Sequence, residues 1–280
     1  MQTLTTIAEL RANVRAWKRY GLRVGFVPTM GNLHAGHFSL IDLAKQHVDR
    51  VVASVFVNPT QFGPNEDFAR YPRTLDADAT GLVEHACDVL FAPTVEGMYP
   101  DGADNAVRIR VPGITAILDG AHRPGHFDGV ATVVARLFNM VQPDVAVFGQ
   151  KDYQQLQVIR QLVRDLAFPV DIIAAPTARA DDGLALSSRN QYLSATERAI
   201  APEIQRTLLA MRDAVTAGQA LDSIETEAAS RLAAMGFVVD YAAIRRVDLG
   251  EPISGQRDGL VGLIAAKLGS TRLIDNIAID

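Results

Sequence analysis

Apolar positions along the chain follow two rhythms. Short β-branched and aliphatic runs, RVGFV (23–27), RVVASVFV (50–57), DVLFA (88–92), DVAVFG (144–149) and VDIIAA (170–175), have the length and composition of buried strands. Between them, HFSLIDLAKQHV (37–48), DADATGLVEHA (76–86), GVATVVARLFNMV (129–141) and YQQLQVIRQLVRDL (153–166) carry a helical period. Near the N-terminus Ile7, Leu10, Val14 and Trp17 share one helical face, and Thr6 and Glu9 are spaced as a capping box. Strands alternating with helices imply right-handed crossovers and a parallel sheet covered on both faces, which is a doubly wound α/β domain, here over residues 1–177. The rhythm then changes. A long helical stretch (195–215) and a second (221–236) precede three apolar runs, VVDYAAI (238–244), LVGLIAAKL (260–268) and TRLIDNIAI (271–279), the last two separated by a tight LGST turn. This predicts a smaller α+β domain over residues 178–280. Neither an internal repeat nor a low-complexity segment is visible.

Composition narrows the function. A chain of 280 residues with 48% hydrophobic content can bury a sizeable core, and a formal charge of −5 argues against the basic surface of a nucleic-acid binder. Small-molecule partners are expected. Cys87 is the one cysteine, so no intrachain disulfide or multi-cysteine metal site can form, which fits a reducing compartment. The N-terminal stretch lacks the unbroken apolar core of a signal peptide, and no segment reaches the roughly 20 apolar residues of a membrane span. The expected location is cytoplasmic.

In doubly wound sheets ligands bind beyond the carboxyl ends of the strands, near the point where strand order reverses. PTMGNLHAGH (28–37), NPTQFG (58–63), GQKDYQQ (149–155) and PTARADDGLALSSRN (176–190) each follow a predicted strand, so one shared site is expected. His34 and His37 are three apart, which places both rings on one side of a first helical turn, and Gly36 between them leaves room for a close approach. Backbone amides at such a turn are placed to receive phosphate oxygens, and the imidazoles could donate to them as charge builds. A hydrogen-bonded structural role and zinc ligation are the alternatives, the second lacking further ligands nearby. Lys151 offers a compact cation for phosphates or is a solvated surface lysine. Asp152 could accept from a ribose hydroxyl or cap the following helix. Ser187, Ser188 and Arg189 could bond phosphate oxygens or form a plain turn.

HAGH after a first strand resembles the H-x-G-H signature of the nucleotidyltransferase superfamily. The series PTMGNLHAGH, VFVNPTQFG, YPRTLDAD, HRPGHFDGVATVV, FGQKDYQQL and DGLALSSRN, with TRLIDN near the C-terminus, resembles the pantothenate synthetase family over nearly the whole chain. The resemblance implies a Rossmann-like domain and an enzyme that joins (R)-pantoate to β-alanine through a pantoyl adenylate, with ATP and its Mg²⁺ as co-substrate and AMP and diphosphate released. It further implies that Met30, Gly31, Asn32, Leu33, His34, Ala35, Gly36 and His37 hold ATP together with Gly149, Gln150, Lys151, Asp152, Ala178, Leu186, Ser187, Ser188 and Arg189. His37 would be a catalytic acid, and His34 and Lys151 would act with it. Gln61 and Gln155 would grip pantoate, Gln61 also serving β-alanine, while Asn58, Tyr71 and Arg123 are weaker candidates for a pocket wall or lid. A homodimer is expected, with the second domain closing over ATP. One departure is visible: the family commonly has glutamate where this chain has Gln150. The competing readings are another adenylyl- or cytidylyltransferase of the same superfamily and a non-catalytic nucleotide-binding module; a class I tRNA synthetase would need an anticodon-binding domain for which the chain has no room.

Overall fold

The computed structural model describes residues 1–63 and 68–279. These form two compact units, Met1–Gly149 with Val158–Pro176, and Gln150–Gln157 with the chain from Thr177 onward. The first is a doubly wound α/β unit. Its strands β1 (Gln2–Leu4), β2 (Val24–Thr29), β3 (Arg50–Val55), β4 (Val89–Phe91), β5 (Val145–Gly149) and β6 (Asp171–Ala175) are all parallel, in the order β1-β4-β3-β2-β5-β6. From β2 the chain moves outward to β3 and β4, then returns to lay β5 and β6 on the other side. Strand order therefore reverses between β2 and β5, and the crevice beyond their carboxyl ends is the switch point where such folds hold ligands.

The helices follow the apolar period. In α1 (Ile7–Arg19) the Thr6 hydroxyl accepts the Glu9 amide and the Glu9 carboxylate accepts the Thr6 amide, each at 3.2 Å, so the expected capping box is present. Next come α2 (Ala35–Lys45), α3 (Leu75–Glu84), the single turns α4 (Val95–Met98) and α5 (Asp119–His122), α6 (His126–Val141) and α7 (Tyr153–Asp165). Helix α6 is buried along most of its length, which is why its sequence reads as nearly continuous apolar residues rather than as a stripe.

Several boundaries differ from expectation. The edge strand β1 is three residues long, too short to leave a periodic signal. The run expected to continue to Val57 leaves the sheet after Val55. Strand β2 extends through Pro28, a residue that central strands usually exclude. The Thr29 carbonyl accepts from the Phe56 amide on the β3 side, so alternation turns the Pro28 nitrogen toward β5. The β2–β5 ladder ends at Phe26, and the absent N–H costs no bond there.

The second unit packs helices on the antiparallel sheet β7 (Val238–Arg246), β8 (Leu260–Leu268) and β9 (Thr271–Ile279). A two-residue connection joins β8 to β9, with Gly269 at φ 57° as the first central residue, the position where a type II′ hairpin needs glycine. The single helix expected over 195–215 is two, α8 (Ala195–Ile200) and α9 (Glu203–Thr216), because Pro202 has no amide proton to continue the ladder. With α10 (Leu221–Ala234), they bury Ile204, Leu208, Leu232 and Ile264 in a common core.

Candidate active site

Beyond β2 the chain turns through Gly31 and Asn32, both left-handed at φ 88° and 52°, a region open to glycine and tolerated by asparagine. Thr29 sets the entry: its hydroxyl donates to the Ser54 carbonyl at 2.7 Å and accepts the Gly31 amide at 3.2 Å. Asp78 on α3, only 2% exposed, then clamps the loop. Its carboxylate accepts the amides of Asn32 (3.0 Å) and Leu33 (2.8 Å) and the Thr74 hydroxyl (3.1 Å). A Cβ on Gly31 would stand 3.0 Å from both Asp78 Oδ2 and Val55 Cγ1, so the clamp can close this tightly only over glycine.

His34 caps α2. Its Nδ1 accepts the Gly36 amide at 3.1 Å, and Nδ1 of His37 accepts the His34 amide at 3.3 Å, so two imidazoles form the capping box. Their ring centroids are 4.2 Å apart and tilted by 49°. A ring nitrogen that accepts carries no proton, so each ring, when neutral, holds its proton on Nε2. Six backbone amides of this segment are engaged within the protein. Gly31 gives its amide to Thr29, Asn32 and Leu33 to Asp78, His34 and Gly36 to the two rings, and His37 to the His34 carbonyl. Those six amides hold the loop in shape.

After β3, Asn58 is 1% exposed and fully engaged rather than lining a wall. Its Oδ1 accepts from the Thr60 amide (3.3 Å), the Thr60 hydroxyl (3.0 Å) and the Tyr99 hydroxyl (2.8 Å), and its amide donates to Gln61 Oε1 (3.1 Å) and the Gly129 carbonyl (3.2 Å). Burial pushes the Tyr99 phenol above its ordinary pKa, so it remains a neutral donor to Asn58. Gln61 is 7% exposed; with Oε1 committed to Asn58, its Nε2 faces the Met30 sulfur, which brings these two expected site residues together.

Two residues that the sequence reading did not single out hold this turn from α6. His126 Nδ1 lies 2.8 Å from the Gln61 carbonyl and Nε2 lies 3.0 Å from the Arg123 guanidinium. Arginine can only donate, so Nε2 accepts and Nδ1 donates to Gln61. At Gly129 a Cβ would sit 2.4 Å from the Thr60 carbonyl oxygen and 2.6 Å from Gln61 Cα, so backbone meets backbone only because the residue is glycine. Their spacing of three at a helix start, in GHFDG, was the available signal. Arg123 therefore acts on the turn through His126, and Tyr71 is a buried ring set edge-on to Phe62 at 5.8 Å.

Gly149 closes β5, where an added Cβ would meet no protein atom within 4 Å, so packing does not demand glycine. In the second unit the Lys151 ammonium lies 3.9 Å from the Asp152 carboxylate, which supplies an acidic neighbour although position 150 is glutamine. Leu186 donates its amide to the Ala178 carbonyl at 2.9 Å, and the Ser187 hydroxyl accepts the Arg189 amide at 3.2 Å, opening a 3₁₀ turn over Ser188–Tyr192. Lys151 and Ser187 line one small cavity of about 10 Å³ with Asn190 and Asp275. Gln155 is half-buried in the first turn of α7. Among the described residues no group of three or more His, Cys, Asp or Glu side chains is placed to hold a metal ion, and no helix is long and apolar enough to cross a membrane.

A family model described as pantoate-beta-alanine ligase matches residues 2–278. The pantothenate synthetase of Stenotrophomonas maltophilia (strain K279a) is 60% identical over 277 residues, and that of Xylella fastidiosa (strain 9a5c) is 62% identical over 279, each match covering 99% of both chains. Among solved structures, pantothenate synthetase from Thermus thermophilus superposes with a TM-score of 0.92 at 50% identity, covering 100% of this chain and 99% of that one. Pantoate-beta-alanine ligase from Francisella tularensis, complexed with beta-gamma ATP and beta-alanine, gives a TM-score of 0.83 at 37% identity, covering 99% and 97%. Sequence, fold and length agree along the whole chain, which belongs to the pantoate-beta-alanine ligase family.

Proposed function

We propose that this chain catalyses the ATP-dependent condensation of (R)-pantoate with β-alanine to pantothenate, through a pantoyl adenylate. The pantoate carboxylate attacks the α-phosphorus of ATP and diphosphate leaves; the β-alanine amine then attacks the acyl carbon, loses a proton and expels AMP. Activation is needed because a free carboxylate would have to expel oxide. The observation that carries this reading is the imidazole capping box beyond β2, beside the strand-order reversal. It sets two Nε2–H donors in fixed orientation before any ligand arrives, and preorganised donors of this kind are each worth about 10²–10³ in turnover. The names of the relatives support the same reaction.

His34 and His37 donate to phosphoryl oxygens as charge develops, with His37 as catalytic acid. Met30–His37, Gly149–Asp152, Ala178 and Leu186–Arg189 serve ATP, the open space above Gly149 suiting close approach of a ligand. Lys151 neutralises phosphate charge. Gln61 serves pantoate and β-alanine, and Gln155 serves pantoate. Neutral amides orient an acid without withdrawing charge from the oxygen that must attack, which a guanidinium would do. The Mg²⁺ follows from the triphosphate, whose oxygens it usually bridges. A homodimer is part of the proposal, to be checked by sedimentation at micromolar concentration. The decisive assay is product analysis: AMP and diphosphate must appear in step with pantothenate only when both acid and amine are consumed. ATP bound but never cleaved would leave a binding module, and a stable nucleotide conjugate would mark another transferase.

A further inference from the structure

The C-terminal motif TRLIDN has no role in the chemistry above, yet its last residue reaches the turn that carries Lys151. Asn276, 8% exposed on β9, donates its side-chain amide to two successive carbonyls, those of Gln150 and Lys151, at 2.9 Å each. The two amide protons are thus both committed, and one planar group fixes the peptide on either side of the Lys151 Cα. The Asn276 backbone is itself held. Its backbone amide donates to Asp275 Oδ1 at 2.8 Å, and Asp275 makes a bidentate pair with Arg179 at 2.6 and 3.0 Å. Arg179 also donates to the Gly183 carbonyl at 3.1 Å, within the hairpin whose Ala178 and Leu186 ends are hydrogen-bonded. A strand near the C-terminus therefore anchors a turn about 125 residues earlier in the chain.

We infer that Asn276 is a positioning residue for Lys151, setting the direction from which the ammonium meets phosphate. The inference rests on the reading of Lys151 as a phosphate-binding cation. A general structural role would lower stability without depending on Lys151, whereas a positioning role disappears once the ammonium is gone. The test is steady-state kinetics on the full chain with Asn276→Ala, Asn276→Asp, Lys151→Ala and both double variants, alongside thermal unfolding of each. The aspartate keeps the volume but turns an oxygen toward two carbonyl oxygens, so it carries the test if the alanine variant does not fold. Each Asn276 variant should lower kcat/KM for ATP by at least about tenfold, the scale of a small misplacement of a reacting group, with KM for pantoate within about twofold. In the Lys151→Ala background the same substitutions should cost less than about twofold, because coupled residues do not add. Equal losses in both backgrounds, or single Asn276 variants within twofold of the parent, overturn the inference. Parent-like activity in Lys151→Ala, where Asn276 is intact, overturns the reading of Lys151 and the inference with it.

Discussion

The Asp78 clamp gives the sharpest quantitative expectation. Asp78→Ala removes three hydrogen bonds at once and strands the amides of Asn32 and Leu33 on a left-handed turn. Hydrogen bonds to a charged acceptor contribute about 1.5–3 kcal/mol each, but they share one carboxylate and the loop is half-buried, so water recovers part of the loss. A net destabilisation of about 2–4 kcal/mol follows, which for a chain of this size lowers the melting temperature by roughly 3–7 °C. Asp78→Asn keeps one acceptor oxygen but turns its NH₂ toward one of the two loop amides, so its loss should fall at about half that value. Because the turn leads directly into His34, turnover should drop by at least about tenfold in both variants, as expected when a catalytic donor is displaced by a fraction of an ångström. Thermal unfolding by calorimetry and steady-state turnover measure the two effects. An alanine variant melting within about 2 °C of the parent, with normal turnover, would refute the view that this carboxylate shapes the loop.

Three further outcomes follow from the geometry. His34→Asn keeps a side-chain oxygen able to cap α2 while removing the Nε2 donor, so stability should change by less than about 1 kcal/mol while turnover falls at least about a hundredfold; an unchanged kcat would remove His34 from the chemistry. Gly129→Ala adds a methyl group 2.4 Å from the Thr60 oxygen and should destabilise by about 1–3 kcal/mol, where helix propensity alone would stabilise, and it should raise KM for pantoate through the Gln61 turn. A stabilised variant with parent kinetics would count against that packing. Burial pushes the Cys87 thiol up from its ordinary 9.0 to about 11, so the folded state disfavours the thiolate. Its contribution to stability is full below pH 9 and is lost as pH rises toward 11, by about 1.4 kcal/mol per unit, and a thiol reagent at about pH 8 should label the chain only on unfolding. Prompt labelling of the native chain would contradict the burial.

The alternation of apolar runs, the cap of α1, the glycine hairpin between β8 and β9, and the pair of histidines after β2 were legible in the sequence. Each depends on residues within a turn or two of one another, where backbone periodicity and side-chain spacing settle the geometry. Pro202 shows the limit even at short range: the apolar period ran through it, and the missing amide proton ended α8 regardless. Long-range partners left no such trace. Nothing local marks Asp78 as the acceptor for Asn32 and Leu33 some 45 residues before it, His126 as the donor to the Gln61 carbonyl, or Asn276 as the anchor of the Lys151 turn. Tertiary structure also decided where the amides of Gly31, Asn32, Leu33, His34 and Gly36 go, because polar groups taken from water must be satisfied and the nearest acceptors were Thr29, Asp78 and the histidines themselves. Which residue types follow each strand was written in the spacing of the motifs; how their atoms are engaged was decided by hydrogen-bond partners that only folding brings within about 3 Å.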